Sequence, residues 1–192
     1  MLNKTDIAKD VGVLIKAIGD WISVLEASGQ IILLEPWFSN FNKRIVKTPK
    51  LYFRDTGLLC FLLGLDKNSL GSSHFLGALW ETCVFAELRK MNNSSARPVN
   101  FWYYRDQRAR EIDFIAESGG TLLIIDCKWK ETPSKADCET MAAVSNELEN
   151  SGSNWLPGQH YLVTNTPAAF SLTERISTVR FTDLPRVLEE MP

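Results

Sequence analysis

The stretch Arg110-Glu111-Ile112-Asp113-Phe114-Ile115-Ala116-Glu117-Ser118-Gly119-Gly120-Thr121-Leu122-Leu123-Ile124-Ile125-Asp126-Cys127-Lys128 decides the fold. Ile112, Phe114 and Ala116 alternate with Asp113, Ile115 and Glu117, which is the period of a half-buried strand. Gly119-Gly120 supplies the positive backbone angles of a tight hairpin. Leu122 to Ile125 is apolar without a break, as expected of a strand covered on both faces. Asp113 interrupts the first apolar run, and Asp126 and Lys128 close the second as Asp-x-Lys. Antiparallel pairing of the two strands would bring Asp113 close to Asp126. Two carboxylates at the end of a buried sheet repel each other unless a cation lies between them. Hard divalent ions such as Mg²⁺ favour such oxygens while keeping several of their waters.

The rest of the composition is that of an ordinary globular chain. The 192 residues suffice for one or two domains with a sizeable core. They are 45% hydrophobic and 23% charged, a usual balance for a soluble protein. Net charge is −2 and the pI is about 5.8, so any nucleic-acid contact must come from a local patch. No apolar run reaches membrane-span length and the first residues do not form a signal peptide, so no membrane contact is expected. Cys60, Cys83, Cys127 and Cys138 form no CxxC pair, which suggests reduced thiols and a cytoplasmic location.

Ahead of the hairpin, Thr5–Asp10 is expected to be a short helix and Gly12 a turn. Leu14–Ser28 would be a longer helix with Ile18, Trp21, Ile22 and Leu25 on its apolar face, and Gln30–Leu34 a strand. This order suggests the second half of a winged helix-turn-helix, with residues 36–46 as the wing. The second helix begins Leu14-Ile15-Lys16-Ala17-Ile18, apolar and without a Ser or Thr cap, which argues against direct base reading and against a transcription regulator. There is no room before Thr5 for the first helix of such a module, so the chain is expected to be a piece of a longer protein.

Lys43, Arg44, Lys47, Lys50 and Arg54 make the densest basic segment, interleaved with Phe38, Phe41, Tyr52 and Phe53. It is either a phosphate-contacting strip with stacking aromatics or a solvated face over core rings. Asp55 is the expected cap of a helix that buries Leu58, Leu59, Leu62 and Leu63. The polar stretch Asp66–Ser73 is loop-like and a candidate seam. Phe75–Met91 is a strong amphipathic helix with Glu81 inside its apolar pattern, one turn after Gly77. A carboxylate there costs free energy unless paired or near a metal; otherwise Glu81 lies at the edge of the stripe. Val99–Arg105 is an aromatic-rich strand. Beyond Lys128, Thr132-Pro133 should start a helix to about Leu148; strands at Gln159–Thr164 and Ser177–Phe181 and a closing helix at Thr182–Glu190 follow.

Helix with Glu81, strand, strand with Asp113, strand ending Asp126-Cys127-Lys128, helix, strand: this order resembles the PD-(D/E)XK nuclease superfamily. A narrower resemblance covers nearly the whole chain. Lys50-Leu51-Tyr52-Phe53-Arg54-Asp55-Thr56-Gly57-Leu58-Leu59, Gly77-Ala78-Leu79-Trp80-Glu81, Tyr104-Arg105 and Glu111-Ile112-Asp113-Phe114 look like the uncharacterised C-terminal domain of predicted AAA-type ATPases.

The resemblance implies an α/β fold: a restriction-endonuclease-like central mixed sheet flanked by helices over residues 55–192, preceded by a small partial winged-helix module over residues 1–54. It also implies an ATPase partner module, which the absence of GxxxxGK[ST] places outside this chain. The implied catalytic set is Glu81, Asp113, Asp126 and Lys128. Asp113, Asp126, the Cys127 carbonyl and Glu81 would hold Mg²⁺ or Mn²⁺. Lys128 would orient or activate the attacking water. Arg105, Arg108, Arg110 and Lys130, with Lys43 and Arg44, are candidate phosphate contacts, or else surface charges. The functional expectation is a metal-dependent phosphodiesterase module acting on DNA. The alternative is a non-catalytic module that binds DNA or protein and docks an ATPase; in that case Asp113, Asp126 and Lys128 are a buried ion-pair cluster.

Overall fold

A computed structural model describes residues 1–37, 48–150 and 156–189. The expected wing, and with it Phe38, Phe41, Lys43, Arg44 and Lys47, lies almost wholly outside the described residues.

The chain opens with α1 (Lys4–Val11) and α2 (Ile15–Ala27). Asn3 caps α1 by accepting the N–H groups of Thr5 and Asp6, and Gly12 ends it with φ of 75°. Leu14 offers α2 no side-chain cap, as the sequence implies. Strand β1 (Ile31–Leu34) then pairs antiparallel with β2 (Lys50–Phe53). Leu2, Ala8, Ile18, Ile22 and Ile31 form the small core of this front region. The apolar face of α2 is narrower than its spacing suggests: Trp21 and Leu25 are exposed. The strand at β2 was not expected, because its lysine and tyrosine read as part of a basic strip.

Helix α3 (Thr56–Leu62) starts where Asp55 accepts the Leu58 N–H at 2.9 Å. It is shallower than its leucines imply, and Leu62 is exposed next to Phe61. A 3-10 turn (Leu70–Ser72) leads into α4 (Leu76–Ser94), the long amphipathic helix. Strands β3 (Asn100–Arg105), β4 (Glu111–Ser118) and β5 (Thr121–Lys128) follow as an antiparallel meander. Gly119 and Gly120, at φ of 56° and 83°, make the expected two-residue turn between β4 and β5. The next helix, α5 (Glu139–Asn150), starts later than Thr132-Pro133 would place it. Ser134 and Asp137 form a reciprocal capping box on the 3-10 turn that precedes it, satisfying the donors that Thr132 was expected to satisfy. The chain closes with β6 (Leu156–Pro157), β7 (His160–Thr164), β8 (Ile176–Arg180) and α6 (Leu184–Glu189).

The fold is mixed α/β: a central sheet in the order β3-β4-β5-β7-β8, flanked by helices and preceded by the small helical and sheet region. The pairs β5–β7 and β7–β8 are parallel, and β6 adds a short parallel pairing to the start of β5. Strand β5 lies at the centre and is buried on both faces. Leu123 and Ile125 pack with Phe114, Val84, Phe85 and Leu88 of the α4 side. Leu122 and Ile124 pack with Ile115, Met141, Val144 and Leu148 of the α5 side. The unbroken apolar run is therefore the expected consequence of two covered faces.

Candidate active site

The apolar ladder of β4 and β5 ends at the pair Phe114–Ile125. One step beyond, the side chains of Asp113 and Asp126 take over from the backbone. Asp126 Oδ1 accepts the Asp113 N–H at 3.4 Å, and Asp113 Oδ2 accepts the Cys127 N–H at 3.0 Å. Helix α4 passes over these strand ends and brings Glu81 to the same place. The three carboxylates line one polar cleft of about 570 Å³ with Glu111, Asp137, Lys128 and Trp129.

A residue from the front region completes the cluster. Lys50 and Tyr52 alternate along β2 and so project from the same side of the strand. The buried Lys50 ammonium donates to Glu81 Oε1 at 2.8 Å and to Asp113 Oδ1 at 3.2 Å, and lies 2.6 Å from Glu111 Oε1. The Tyr52 hydroxyl donates to Glu81 Oε1 as well. Glu111 is also held from outside by Arg105 at 2.7 Å. Lys128, half exposed, has its Nζ 3.9 Å from Asp126 Oδ2.

The electrostatics follow from burial and crowding. Burial, with Asp126 beside it, pushes the Asp113 carboxyl up to about 7 despite the pull of Lys50. Burial also raises Asp126, and it raises Glu81 with help from Asp113. Burial alone would lower Lys50, but Asp113, Glu81 and Glu111 together hold it above its ordinary value, so the amine is charged. Glu111 is lowered because Lys50 and Arg105 outweigh its desolvation. Burial lifts the Cys127 thiol well above its ordinary value, so it stays protonated and offers no thiolate.

At one point these residues could hold a hard divalent cation. Asp126 is buried and Asp113 part-buried; burial raises both carboxyls, with Asp126 adding to the rise of Asp113, and they open on a polar cleft with room for waters. Glu81 is turned to Lys50 and Tyr52. Among the described residues, no three His, Cys, Asp or Glu side chains are grouped as a ready-made metal cage. The donor set therefore fits an ion held mainly by the Asp113–Asp126 pair and its own water.

The other basic candidates are mostly engaged. Arg110 binds Asp106 at 2.6 Å and Glu147 at 2.5 Å. Lys130 binds Asp137 at 2.8 Å, and Arg108 is exposed. Lys43 and Arg44 lie outside the described residues. Lys50, Tyr52 and Glu111 belong to the cluster although sequence reasoning did not place them there. The available signal was a lysine and a tyrosine two residues apart in a short apolar strand, which puts both on one face.

Residues 76–184 match the family described as "Domain of unknown function (DUF4143)". The chain belongs to the DUF4143 family. The match spans α4 through the start of α6, and so contains Glu81, Asp113, Asp126 and Lys128. Residues 1–69, which contribute Lys50 and Tyr52, match a second family described as "Domain of unknown function (DUF8612)". Beyond these two families, the chain is 32% identical over 158 residues to an uncharacterized protein of Mycobacterium bovis and, equally, to one of Mycobacterium tuberculosis. The matched part covers 81% of this chain and 35% of each relative, so the chain spans about a third of the curated relatives it matches. No solved structure matches. Among the described residues, no helix is long and apolar enough to cross a membrane.

Proposed function

We propose that this DUF4143 chain is a divalent-cation-dependent phosphodiesterase module of the PD-(D/E)XK kind, acting on DNA as the C-terminal part of an AAA-type ATPase. The observation that carries the reading is the crossed Asp113–Asp126 pair, with Lys128 two residues further along the same strand, at the floor of a cleft. Bound there, Mg²⁺ or Mn²⁺ would neutralise charge on a phosphodiester and acidify a water. The chain's residues do the rest. Asp113 and Asp126 would hold the ion. The half-exposed Lys128 amine orients the attacking water and stabilises developing negative charge. The carboxylates around the cleft repel free phosphate, which makes the reading strictly cation-dependent. The length of the relatives outside the matched part leaves room for an ATPase module in them.

The test is Mg²⁺-dependent nicking of supercoiled plasmid. The chain should nick, and Asp126→Ala should not; undiminished nicking by the variant refutes the assignment.

One observation favours a second reading, a non-catalytic docking module. Helices α1 and α2 expose Val11, Leu14, Ile15, Trp21 and Val24, an apolar surface suited to a protein partner. Its signature is absence of divalent-ion binding by calorimetry together with salt-sensitive binding to DNA or an ATPase.

A further inference from the structure

Lys50 reaches the carboxylates from outside the sheet that carries them. It sits on β2, which pairs with β1, whereas Asp113 and Asp126 sit on β4 and β5. Its position is fixed by local bonds: the Tyr103 hydroxyl of β3 donates to the Thr48 carbonyl, and the Leu2 N–H donates to the Pro49 carbonyl. The strand thus enters the site at a set depth, and a buried ammonium with three carboxylate neighbours stands at its tip.

Charge counting shows what that ammonium does. Fully ionised, as a bound cation would require them, Glu81, Glu111, Asp113 and Asp126 carry four negative charges. Lys50, Arg105 and Lys128 carry three positive ones, all within the ion pairs described above. With Lys50 in place the cluster is one charge negative, and a divalent ion would leave it one charge positive. Without Lys50 the deficit is two charges, which a divalent ion cancels. Lys50 also occupies lone pairs on Asp113 and Glu81 that an incoming cation would use.

We propose that Lys50 is a built-in competitor for the divalent cation: its ammonium holds Asp113 and Glu81 oxygens that a cation on the Asp113–Asp126 pair would draw on, and the cation binds fully only as the ammonium releases them. The inference rests on the cation-dependent reading of the cleft. It gives the front region a defined role, since the element that carries Lys50 sets how strongly the sheet's carboxylates hold an ion. It also accounts for Glu81, whose Oε1 is held by Lys50 and Tyr52.

The probe is Mn²⁺ alone, titrated calorimetrically into the full chain and into Lys50→Met, with circular dichroism to establish folding. Lys50→Met should bind Mn²⁺ at least about tenfold more tightly; equal or weaker binding by the folded variant overturns the proposal. Removing Lys50 leaves three carboxylates crowded, so Lys50→Met/Glu81→Gln serves as a second variant, with one negative charge removed as well. It should still bind more tightly than Glu81→Gln alone. A measurement on the unaltered chain needs no variant: acetylation of Lys50 by an amine-reactive ester, read by peptide mass spectrometry. Labelling of Lys50 should rise several-fold at saturating Mn²⁺, while binding without increased labelling overturns the proposal. Plasmid nicking by the unaltered chain is scored separately. Nicking with no Lys50 effect removes this inference and leaves the phosphodiesterase reading standing. A Lys50 effect on Mn²⁺ without nicking does the reverse.

Discussion

Asp113 and Asp126 stand opposite each other at the point where β4 and β5 stop bonding through their backbones, and each carboxylate accepts an N–H from the other strand. Ionising both of these desolvated carboxyls is costly even beside Lys50, which is why Asp113 is pushed up to about 7.

Asp126→Asn is therefore expected to keep the fold. The amide oxygen can still accept the Asp113 N–H, and a desolvated charge is removed. Stability in metal-free buffer should be unchanged within about 1 kcal/mol or increased, while Mn²⁺ affinity falls at least about tenfold. Urea unfolding and calorimetry measure the two. A loss of about 3 kcal/mol or more would show instead that the fold depends on the Asp126 carboxylate itself, since a half-exposed Lys128 at 3.9 Å is worth only about 1 kcal/mol or less.

Asn92, near the C-terminus of α4, acts as a surrogate strand partner. Its amide donates to the Val99 carbonyl and its oxygen accepts the Val99 N–H, both at 2.8 Å and both buried. The pair fixes the helix that carries Glu81 to the start of β3. Asn92→Ala leaves two buried backbone groups without partners and should cost about 2–3 kcal/mol in denaturant unfolding. Asn92→Asp keeps an acceptor for the Val99 N–H but sets a buried carboxylate oxygen against the Val99 carbonyl, so it should cost at least as much as the alanine.

The sheet and the Asp-x-Lys strand were legible because their signals are local. Alternation, a Gly-Gly turn and an unbroken apolar run each occupy a few consecutive residues, and the register that brings Asp113 to Asp126 follows from the turn. Lys50 was not legible in the same way. Its partners lie 31, 61 and 63 positions away in sequence, and its charge placed it with Lys43, Arg44 and Arg54 as surface. Arg110 was misleading for a related reason. It lies beside the acidic strand, yet Asp106 and Glu147 bind its guanidinium. The late start of α5 has another cause: Thr132 and Ser134 are both capable caps, and the acid that completes a capping box lies three residues after Ser134, at Asp137.

Tyr52 couples the cluster to the core. Its ring packs 4.8 Å from Phe85 and 5.9 Å from Phe114, and its hydroxyl donates to Glu81. Tyr52→Phe keeps the packing and removes that bond, while Lys50 still holds Glu81. The expected loss is about 1–2 kcal/mol by denaturant unfolding. The aromatic near-ultraviolet signal of the folded state should otherwise be retained. A loss of the folded signal altogether would show that the hydroxyl, and not the ring, organises this corner of the core.

His160 sets an acid limit on stability. Its Nδ1 accepts the Ile124 N–H at 3.3 Å, so the neutral ring carries its proton on Nε2, 2.7 Å from Ser145 Oγ, and the Ser145 hydroxyl donates onward to Glu149 at 3.3 Å. The direction of these bonds rules out a Ser-His-Glu hydrolytic relay, because the imidazole gives a proton to the serine oxygen and has no free lone pair to take one. Burial lowers this imidazole from 6.5 to about 4. In the unfolded chain it protonates near its ordinary value, so between pH 6.5 and 4 the unfolded state binds more protons and stability falls with falling pH. The contribution is fully present above 6.5 and fully lost below 4, a span of about 3 kcal/mol. His160→Gln, which cannot titrate, should lack this component. The difference in unfolding free energy between the unaltered chain and the variant should therefore shrink by about 3 kcal/mol from pH 7 to pH 4. A difference that stays constant over that range would show that His160 is not held neutral in the folded protein.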